Sequence, residues 1–114
     1  MGEVGGGKKR GQEAMSHKIS TQQSRMVILR LPRQLWLYSG GTKGILLNPG
    51  PLRDVFHQLQ QKQPLVYERI CTEAGQPREH VNIFLNHNLV RDIDAAIEIK
   101  SGDVITVLPA ISGG

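Results

Sequence analysis

The alternation of apolar and polar residues predicts a pair of strands at the start of the apolar part of the chain. Residues 26–31 are an apolar run that stops at Pro32, which has no N–H to donate to a sheet ladder. Residues 44–47 return as a second short strand after a Ser-Gly-Gly turn at residues 39–41. The pattern therefore predicts a hairpin with a long, partly apolar loop.

The second half of the chain is predicted to add three strands. Residues 81–86 alternate, which places Phe84 on one face and three aliphatic residues on the other: Val81, Ile83 and Leu85. A turn follows, and a short strand runs back over residues 89–91. Residues 104–108 are rich in β-branched side chains and form the last predicted strand, which Pro109 stops.

A helix-start signal and an amphipathic stripe predict one main helix between these groups of strands. Gly50 is expected to be its N-cap and Pro51 its first helical residue, where the missing N–H costs nothing. Four apolar residues then recur at helical spacing: Leu52, Val55, Phe56 and Leu59. Pro64 is expected to end the helix. Residues 65–71 are predicted to form a second short helical turn, and residues 93–97 a short helical or 3₁₀ connection.

The order of these elements is strand, strand, helix, strand, short strand, strand. One long helix laid across a mixed four- or five-stranded sheet buries the helix stripe and one sheet face in a single core. The predicted fold class is therefore α+β, with the β-grasp (ubiquitin-like) arrangement and one main helix packed across the sheet. In this arrangement the last strand pairs with the first at the centre of the sheet.

Charge separates the start of the chain from this domain. The 114 residues fit one small domain with a formal net charge of +4. Residues 1–25 hold five bases and two acids and are rich in Gly and polar side chains, so we predict a disordered basic leader before a domain at residues 26–108. Three bases at residues 8–10 without an aromatic platform are a poor nucleic-acid footprint. Nucleic acid is therefore not an expected partner. A membrane is not an expected partner either, because no apolar run reaches the roughly 20 residues that cross a membrane.

The last six residues, 109–114, read P-A-I-S-G-G and are predicted to form a flexible tail. Six extended residues reach roughly 20 Å, which is long enough to enter the active-site tunnel of another protein. Gly113 and Gly114 have no Cβ, so their backbone passes where any other residue would clash. Without further evidence, a frayed C-terminus that has no role is a better interpretation of these six residues than a functional tail.

Two sequence motifs favour a functional tail over a frayed C-terminus. Residues 81–86 read V-N-I-F-L-N, and residues 101–114 read S-G-D-V-I-T-V-L-P-A-I-S-G-G. Together they resemble the ThiS/MoaD family of ubiquitin-like sulfur carriers, and the resemblance extends over about residues 26–114. Leu31-Pro32, Leu35 and a Gly-Gly-x-Lys loop at residues 40–43 are similar to the branch of that family that serves cysteine biosynthesis.

The resemblance implies that the C-terminal carboxylate of Gly114, which follows Gly113, is the working group, and that the protein is a substrate of enzymes and not an enzyme itself. In that family an adenylyltransferase of the MoeB/ThiF type uses ATP to form an acyl adenylate, and a sulfide or persulfide donor converts it to a thiocarboxylate. The sulfur then passes to an accepting enzyme, which is cysteine-synthase-like in cysteine biosynthesis. A metalloprotease acting on the tail would release the new amino acid. No cofactor bound to the carrier itself is expected, and the expected compartment is the cytoplasm.

Three other functions stay open. One is the small subunit of molybdopterin synthase, for which the large subunit would accept the sulfur. Another is a ubiquitin-like modifier conjugated to lysines through Gly114. The third is an interaction domain with an inert tail.

Strand parity also predicts a surface that partners recognise. If Ile105 and Val107 point into the core, Thr106 and Leu108 point outward, on the same face as Phe84. The expected partner-binding residues are therefore on this face and in the tail: Phe84, Leu108, Pro109, Ala110, Ile111 and Ser112. The alternative is that the loop at residues 35–38 covers Phe84 or Leu108.

The remaining reactive side chains are interpreted as structural. Cys71 is the one cysteine, and a single Cys on a short helix is more typical of packing than of sulfur chemistry. Asp92 and Asp94 are expected in a solvated turn. The four histidines lack metal-ligand spacing, so no metal site is predicted.

Overall fold

The computed structural model describes residues 25–110, which form seven strands and three helices. The strands are β1 (Val27–Arg30), β2 (Gly44–Leu47), β3 (Gly50–Pro51), β4 (Val81–Leu85), β5 (Asn88–Val90), β6 (Glu98–Ile99) and β7 (Val104–Pro109). The helices are the 3₁₀ helix η1 (Arg33–Ser39), α1 (Leu52–Lys62) and α2 (Pro64–Ile70). The predicted leader, apart from Arg25, and the end of the predicted tail, residues 111–114, lie outside the described residues.

Five of the strands form one mixed sheet in the order β2-β1-β7-β4-β5. The first and last strands run parallel at its centre, with Leu29 opposite Ile105, and the other neighbours are antiparallel. The prediction of a β-grasp fold with the last strand beside the first is confirmed. β3 and β6 form a separate two-stranded sheet that the sequence pattern did not predict.

The core lies between one face of this sheet and the helices. In β1 the buried residues Val27 and Leu29 alternate with the exposed Ile28 and Arg30. The predicted apolar stripe of α1 is almost completely buried: Leu52, Val55, Phe56 and Leu59. Each such side chain contributes roughly 1.5–3 kcal/mol when it is removed from water, so this face is where the fold is stabilised.

The start of α1 differs from the prediction. Gly50 and Pro51 are not its N-cap and first turn, because they pair as β3 with Ile99 and Glu98. Pro51 is extended, with φ −56° and ψ 143°, and Leu52 donates its N–H to the carbonyl of Ile97 at 2.9 Å. The main chain of a distant segment thus captures the first helical N–H, and the helix begins at Leu52.

The connection before β6 also differs from the prediction. Residues 93–97 form a turn and not a helical segment. The side chain of Gln76 accepts the N–H of Ile93 at 2.9 Å and donates to the Asp94 carboxylate at 3.0 Å. Asp92 also accepts the N–H of Asp94 at 2.9 Å. The N–H groups of Ile93 and Asp94 are thus satisfied by side-chain acceptors, and the segment is held as a turn.

The short helical elements follow local signals. α2 confirms the predicted second helical turn, and it begins at Pro64, the residue that was expected to end the main helix. The apolar stretch before β2, predicted as a loop, forms η1. Trp36 donates its indole N–H to the Leu31 carbonyl at 3.0 Å, and the Ser39 hydroxyl lies 3.0 and 2.7 Å from the carbonyls of Trp36 and Thr42. None of the described helices has the length and apolar character needed to cross a membrane.

We predict that Leu29→Ala lowers the free energy of unfolding by about 2–5 kcal/mol, because it empties a fully buried site at the centre of the sheet. Chemical denaturation followed by circular dichroism measures this change. Leu37→Ala is the matched control, because Leu37 is 90% exposed and its truncation should change stability by less than about 0.5 kcal/mol. Equal losses in the two variants would contradict the assignment of the core.

Candidate functional site

The point where the chain leaves the sheet is fixed by β7, which lies between β1 and β4. Pro109 is the last residue of β7 and pairs with Val81, so the strand includes the proline that was expected to stop it. Ala110 then donates its N–H to the carbonyl of His80 at 2.8 Å. The tail base, defined as residues 108–110, is therefore held by β4, and residues 111–114 follow from one defined position.

The opposite end of β7 is fixed by two residues of the sequence motifs. Asn86 adopts φ 56°, donates its N–H to the Val104 carbonyl at 2.7 Å and accepts the Val104 N–H on its side-chain oxygen at 3.0 Å. The Asn86 amide also donates to the Asp103 carboxylate at 3.2 Å, and Asp103 accepts the Lys100 N–H at 2.8 Å. The two sequence motifs therefore meet in the fold, a contact that their spacing in the chain does not predict. Their role is to fix the register of β4 against β7.

Within residues 25–110, no helix packs on the sheet face opposite the core, and we call this the open face. The pairing places Arg30, Thr106, Phe84 and Leu89 in one row across four strands. Apolar residues of the open face are exposed or half-buried: Ile28, Leu46, Phe84, Leu89, Val104 and Leu108. The arrangement leaves an apolar surface beside the tail base, and surfaces of this kind are typical of protein-binding sites.

The predicted partner residues fall at this junction as far as they are described. Phe84 lies opposite Thr106 and Leu108 lies opposite Asn82, so parity puts both on the open face, diagonal to one another. Leu108 is 44% exposed, whereas Phe84 is half-buried and not exposed as expected. Pro109 and Ala110 form the tail base. The other predicted partner and reactive residues lie outside the described part of the chain: Ile111, Ser112, Gly113 and Gly114.

A small apolar groove of about 90 Å³ separates η1 from the tail base. Leu35 of η1 lines one wall, and Leu108 and Pro109 line the other. Leu35 therefore lies near Leu108 but does not cover it, since Leu108 is 44% exposed. η1 therefore lies next to the tail base, across this groove.

Cys71 is placed for packing. It follows α2, is 1% exposed and belongs to the main core cluster. Burial raises the pKa of its thiol to about 12, while a hydrogen bond with Tyr67 and the nearby charge of Arg78 act in the opposite direction. A thiol with so high a pKa is a poor nucleophile at neutral pH, which agrees with the structural interpretation of this residue.

The carboxylates and histidines of residues 25–110 do not gather into a metal site. No group of three or more His, Cys, Asp or Glu side chains there is arranged to hold a metal ion. Asp94 forms an ion pair with Arg53 at 3.3 Å, and Asp92 accepts its N–H, so this acidic pair belongs to a turn as predicted. The notable features of the described residues are therefore the open face and the anchored tail base.

The sheet order, with the first and last strands parallel at its centre and a helix packed across one face, defines a ubiquitin-like β-grasp protein. The sequence profile of the ThiS family matches residues 31–114, so the chain belongs to the ThiS family. It is a small sulfur carrier of the ThiS, MoaD and CysO type.

Individual relatives support this assignment. The chain is 31% identical over 91 residues to the sulfur carrier protein CysO of Mycobacterium tuberculosis H37Rv, and the match covers 77% of this chain and 98% of that protein. The crystal structure of Mycobacterium tuberculosis CysO has a TM-score of 0.65 at 30% identity, with 75% of this chain and 99% of that chain covered.

Two further structures extend the comparison. A chain of the BexX/CysO complex of Amycolatopsis orientalis matches with a TM-score of 0.66 at 24% identity, over 77% of this chain and 99% of that chain. The small archaeal modifier protein 1 of Methanosarcina acetivorans matches with a TM-score of 0.61 at 27% identity, over 78% of this chain and 96% of that chain. The fold is thus shared by carriers of sulfur and by a protein modifier.

We predict that Cys71 in the folded protein reacts with Ellman's reagent at pH 8 at least about 100-fold more slowly than in the urea-unfolded protein, because burial and the raised pKa remove the thiolate. The absorbance of the released thiolate measures the rate. The free energy of unfolding should also fall as the pH rises from 9.0 to about 12, since the thiol ionises first in the unfolded chain. Equal reaction rates in the folded and unfolded protein would show that Cys71 is accessible.

Proposed function

We propose that the Gly114 carboxylate is adenylated and converted to a thiocarboxylate that donates sulfur in a cysteine-type amino-acid biosynthesis. The observation that carries this proposal is the anchored tail base. Ala110 is tied to His80 at the end of the central strand, and only four residues follow it. Extended, these reach about 13 Å, which delivers a terminal acid into a partner's active site while the domain stays outside.

The chemistry needs partners, because a carboxylate is a poor electrophile. A Gly114 oxygen attacks the α-phosphorus of ATP, pyrophosphate leaves, and an acyl adenylate forms. Hydrosulfide then attacks the acyl carbon, and AMP leaves with the electron pair of the broken C–O bond. With a persulfide as donor, the product is an acyl disulfide, and a thiol must cleave its S–S bond to release the thiocarboxylate. An adenylyltransferase of the MoeB/ThiF type supplies the catalytic groups for activation.

The residues before the terminus suit this use. Glycines at 113 and 114 let the backbone enter a narrow channel, because a Cβ at either position would widen the chain. Ordering such a segment costs on the order of 1 kcal/mol per residue, which contacts of the partner with Ile111 and Ser112 would offset. Gly114 and Gly113 are therefore the proposed site of activation, and Pro109 to Ser112 the proposed guide.

The sulfur acceptor is proposed to be a cysteine-synthase-like enzyme, with release of the new amino acid by a metalloprotease in the cytoplasm. Similarity to CysO of Mycobacterium tuberculosis supports this branch. A second candidate function is conjugation to lysines through Gly114, which the likeness to a small archaeal modifier protein favours. The large subunit of molybdopterin synthase is the alternative acceptor.

An intact-mass measurement tests the proposed chemistry. The protein is mixed with ATP, the adenylyltransferase of its own organism and sulfide, and we expect a mass gain equal to the difference between sulfur and oxygen. The variant that lacks Gly114 is the control and should gain nothing. Sulfur transfer by that deletion variant would contradict the proposal, and chains attached to other proteins through Gly114 would favour the modifier.

We also predict that Phe84→Asp abolishes adenylation and leaves the fold intact, because it places a charge in the apolar open face beside the tail base. Pyrophosphate exchange measures adenylation, and circular dichroism checks the fold. Leu65→Asp is the matched control, since Leu65 is 58% exposed on α2, away from the sheet's open face, and should remain fully active. An active Phe84→Asp variant would remove Phe84 from the interface.

A further inference from the structure

Positive charge is concentrated in one stretch of the described chain. Residues 25–53 carry five bases, Arg25, Arg30, Arg33, Lys43 and Arg53, and not one Asp or Glu. Arg53 is paired with Asp94, whereas no other ion pair occurs within residues 25–110. The bases at 30, 33 and 43 therefore face solvent without a carboxylate neighbour from the described residues.

Three of these bases, with one from α2, gather around η1. The Arg33 guanidinium lies 5.9 Å and the Lys43 ammonium 5.2 Å from the centre of the Trp36 ring. The Arg69 guanidinium lies 4.4 Å from the centre of the neighbouring Tyr38 ring. These cation–π contacts restrain the three side chains, so their charges form a localised positive surface around η1.

Arg30 completes the group. It pairs with Gly44, the residue after Lys43, and the Leu31 N–H donates to the Lys43 carbonyl at 2.8 Å. We call the four residues Arg30, Arg33, Lys43 and Arg69 the cationic collar. Since Arg30 shares a row with Phe84, the collar joins the open face.

An exposed leucine lies on η1 between the two aromatic residues that the collar cations contact. Leu37 is 90% exposed, although its neighbours Trp36 and Tyr38 are half-buried against the core. The collar also reaches the tail. Leu35 of η1 and Arg69 line the groove beside Pro109, and Arg69 lines a larger concavity of about 440 Å³ with Glu68, Arg78, His80 and Val81. An enzyme that contacts the tail base at Pro109 would therefore also meet η1 and Arg69.

We propose that the cationic collar and Leu37 form a second docking site for the activating enzyme, which presents carboxylates around an apolar recess that accepts Leu37. This inference rests on the proposed function and adds the chemistry of the partner's surface. The ligand is a protein surface and not the ATP phosphates. An extended tail carries the Gly114 carboxylate about 13 Å beyond Ala110, so the nucleotide reacts well away from η1.

Steady-state pyrophosphate exchange with the same adenylyltransferase tests the proposal. For Arg33→Glu combined with Lys43→Glu, we expect the KM for the carrier to rise at least about tenfold, with kcat and the KM for ATP unchanged. The ratio of the variant's KM for the carrier to that of the unsubstituted protein should decrease when the salt concentration is raised from about 0.05 M to about 0.5 M, because salt screens charge. Leu37→Ala should also raise the KM, and its effect should not depend on salt.

Arg25→Glu combined with Lys100→Glu is the control. It changes the net charge equally at the other end of the sheet, where the Ser101 hydroxyl lies 3.3 Å from the Arg25 carbonyl. If the collar variant unfolds earlier than the unsubstituted protein, Arg33→Gln with Lys43→Gln replaces it, with a smaller rise in KM expected. A KM equal to that of the unsubstituted protein, or an equal rise in the control, overturns the proposal.

The remaining outcomes are distinguishable. If the collar substitutions change the KM for ATP and leave the KM for the carrier unchanged, the collar binds the nucleotide. This result would overturn the proposal that the collar docks on a protein surface. Tight binding of a random single-stranded oligonucleotide that the collar substitutions abolish would assign it to nucleic acid instead. Absence of adenylation in the unsubstituted protein would overturn the proposed function, and this inference with it.

Discussion

The pairing of β7 with a strand on each side is the interaction on which the rest of the structure depends. Its main chain bonds to β1 along one edge and to β4 along the other, so neither its direction nor its register is free. Asn86 and Asp103 fix one end, and the bond from Ala110 to His80 fixes the other. A terminal segment that would otherwise fray therefore leaves a rigid body at a defined point.

The two faces of the sheet differ in burial. The helix face holds the apolar core, and residues such as Leu29 and Ile105 are completely buried there. The open face leaves apolar side chains in contact with water, which gives up stabilisation that a covering helix would supply. In the proposed function, this face is the surface that the activating enzyme contacts beside the tail base.

The sequence was informative where structure is decided locally. Alternating and β-branched residues predicted the central strands, and the stripe from Leu52 to Leu59 predicted α1, because burial of one face follows directly from side-chain spacing. The predicted start of α1 was wrong, because the φ of proline fits both the first residue of a helix and an extended residue. The hydrogen bond from the Leu52 N–H to the Ile97 carbonyl favours the extended conformation of Pro51. The two-residue strands β3 and β6 are too short to carry a pattern.

The candidate site was predictable in part for the same reason. Parity gave the correct face for Phe84 and Leu108, whereas the partial burial of Phe84 depends on neighbours that parity does not describe. The joint role of Asn86 and Asp103, and the gathering of Arg33, Lys43 and Arg69 on aromatic rings, arise from residues far apart in the chain. Such contacts become visible only once the chain is folded.

The central claim is that a rigid sheet presents a chain end whose chemistry changes while the fold does not. The most direct measurement is a carbon NMR spectrum of the protein labelled at the Gly114 carbonyl, recorded with ATP, the adenylyltransferase and sulfide. The account predicts that the carboxylate signal is replaced by a thiocarboxylate signal, while the amide signals of Asn86 and β7 keep their positions. An unchanged Gly114 signal under conditions in which the enzyme consumes ATP would contradict it.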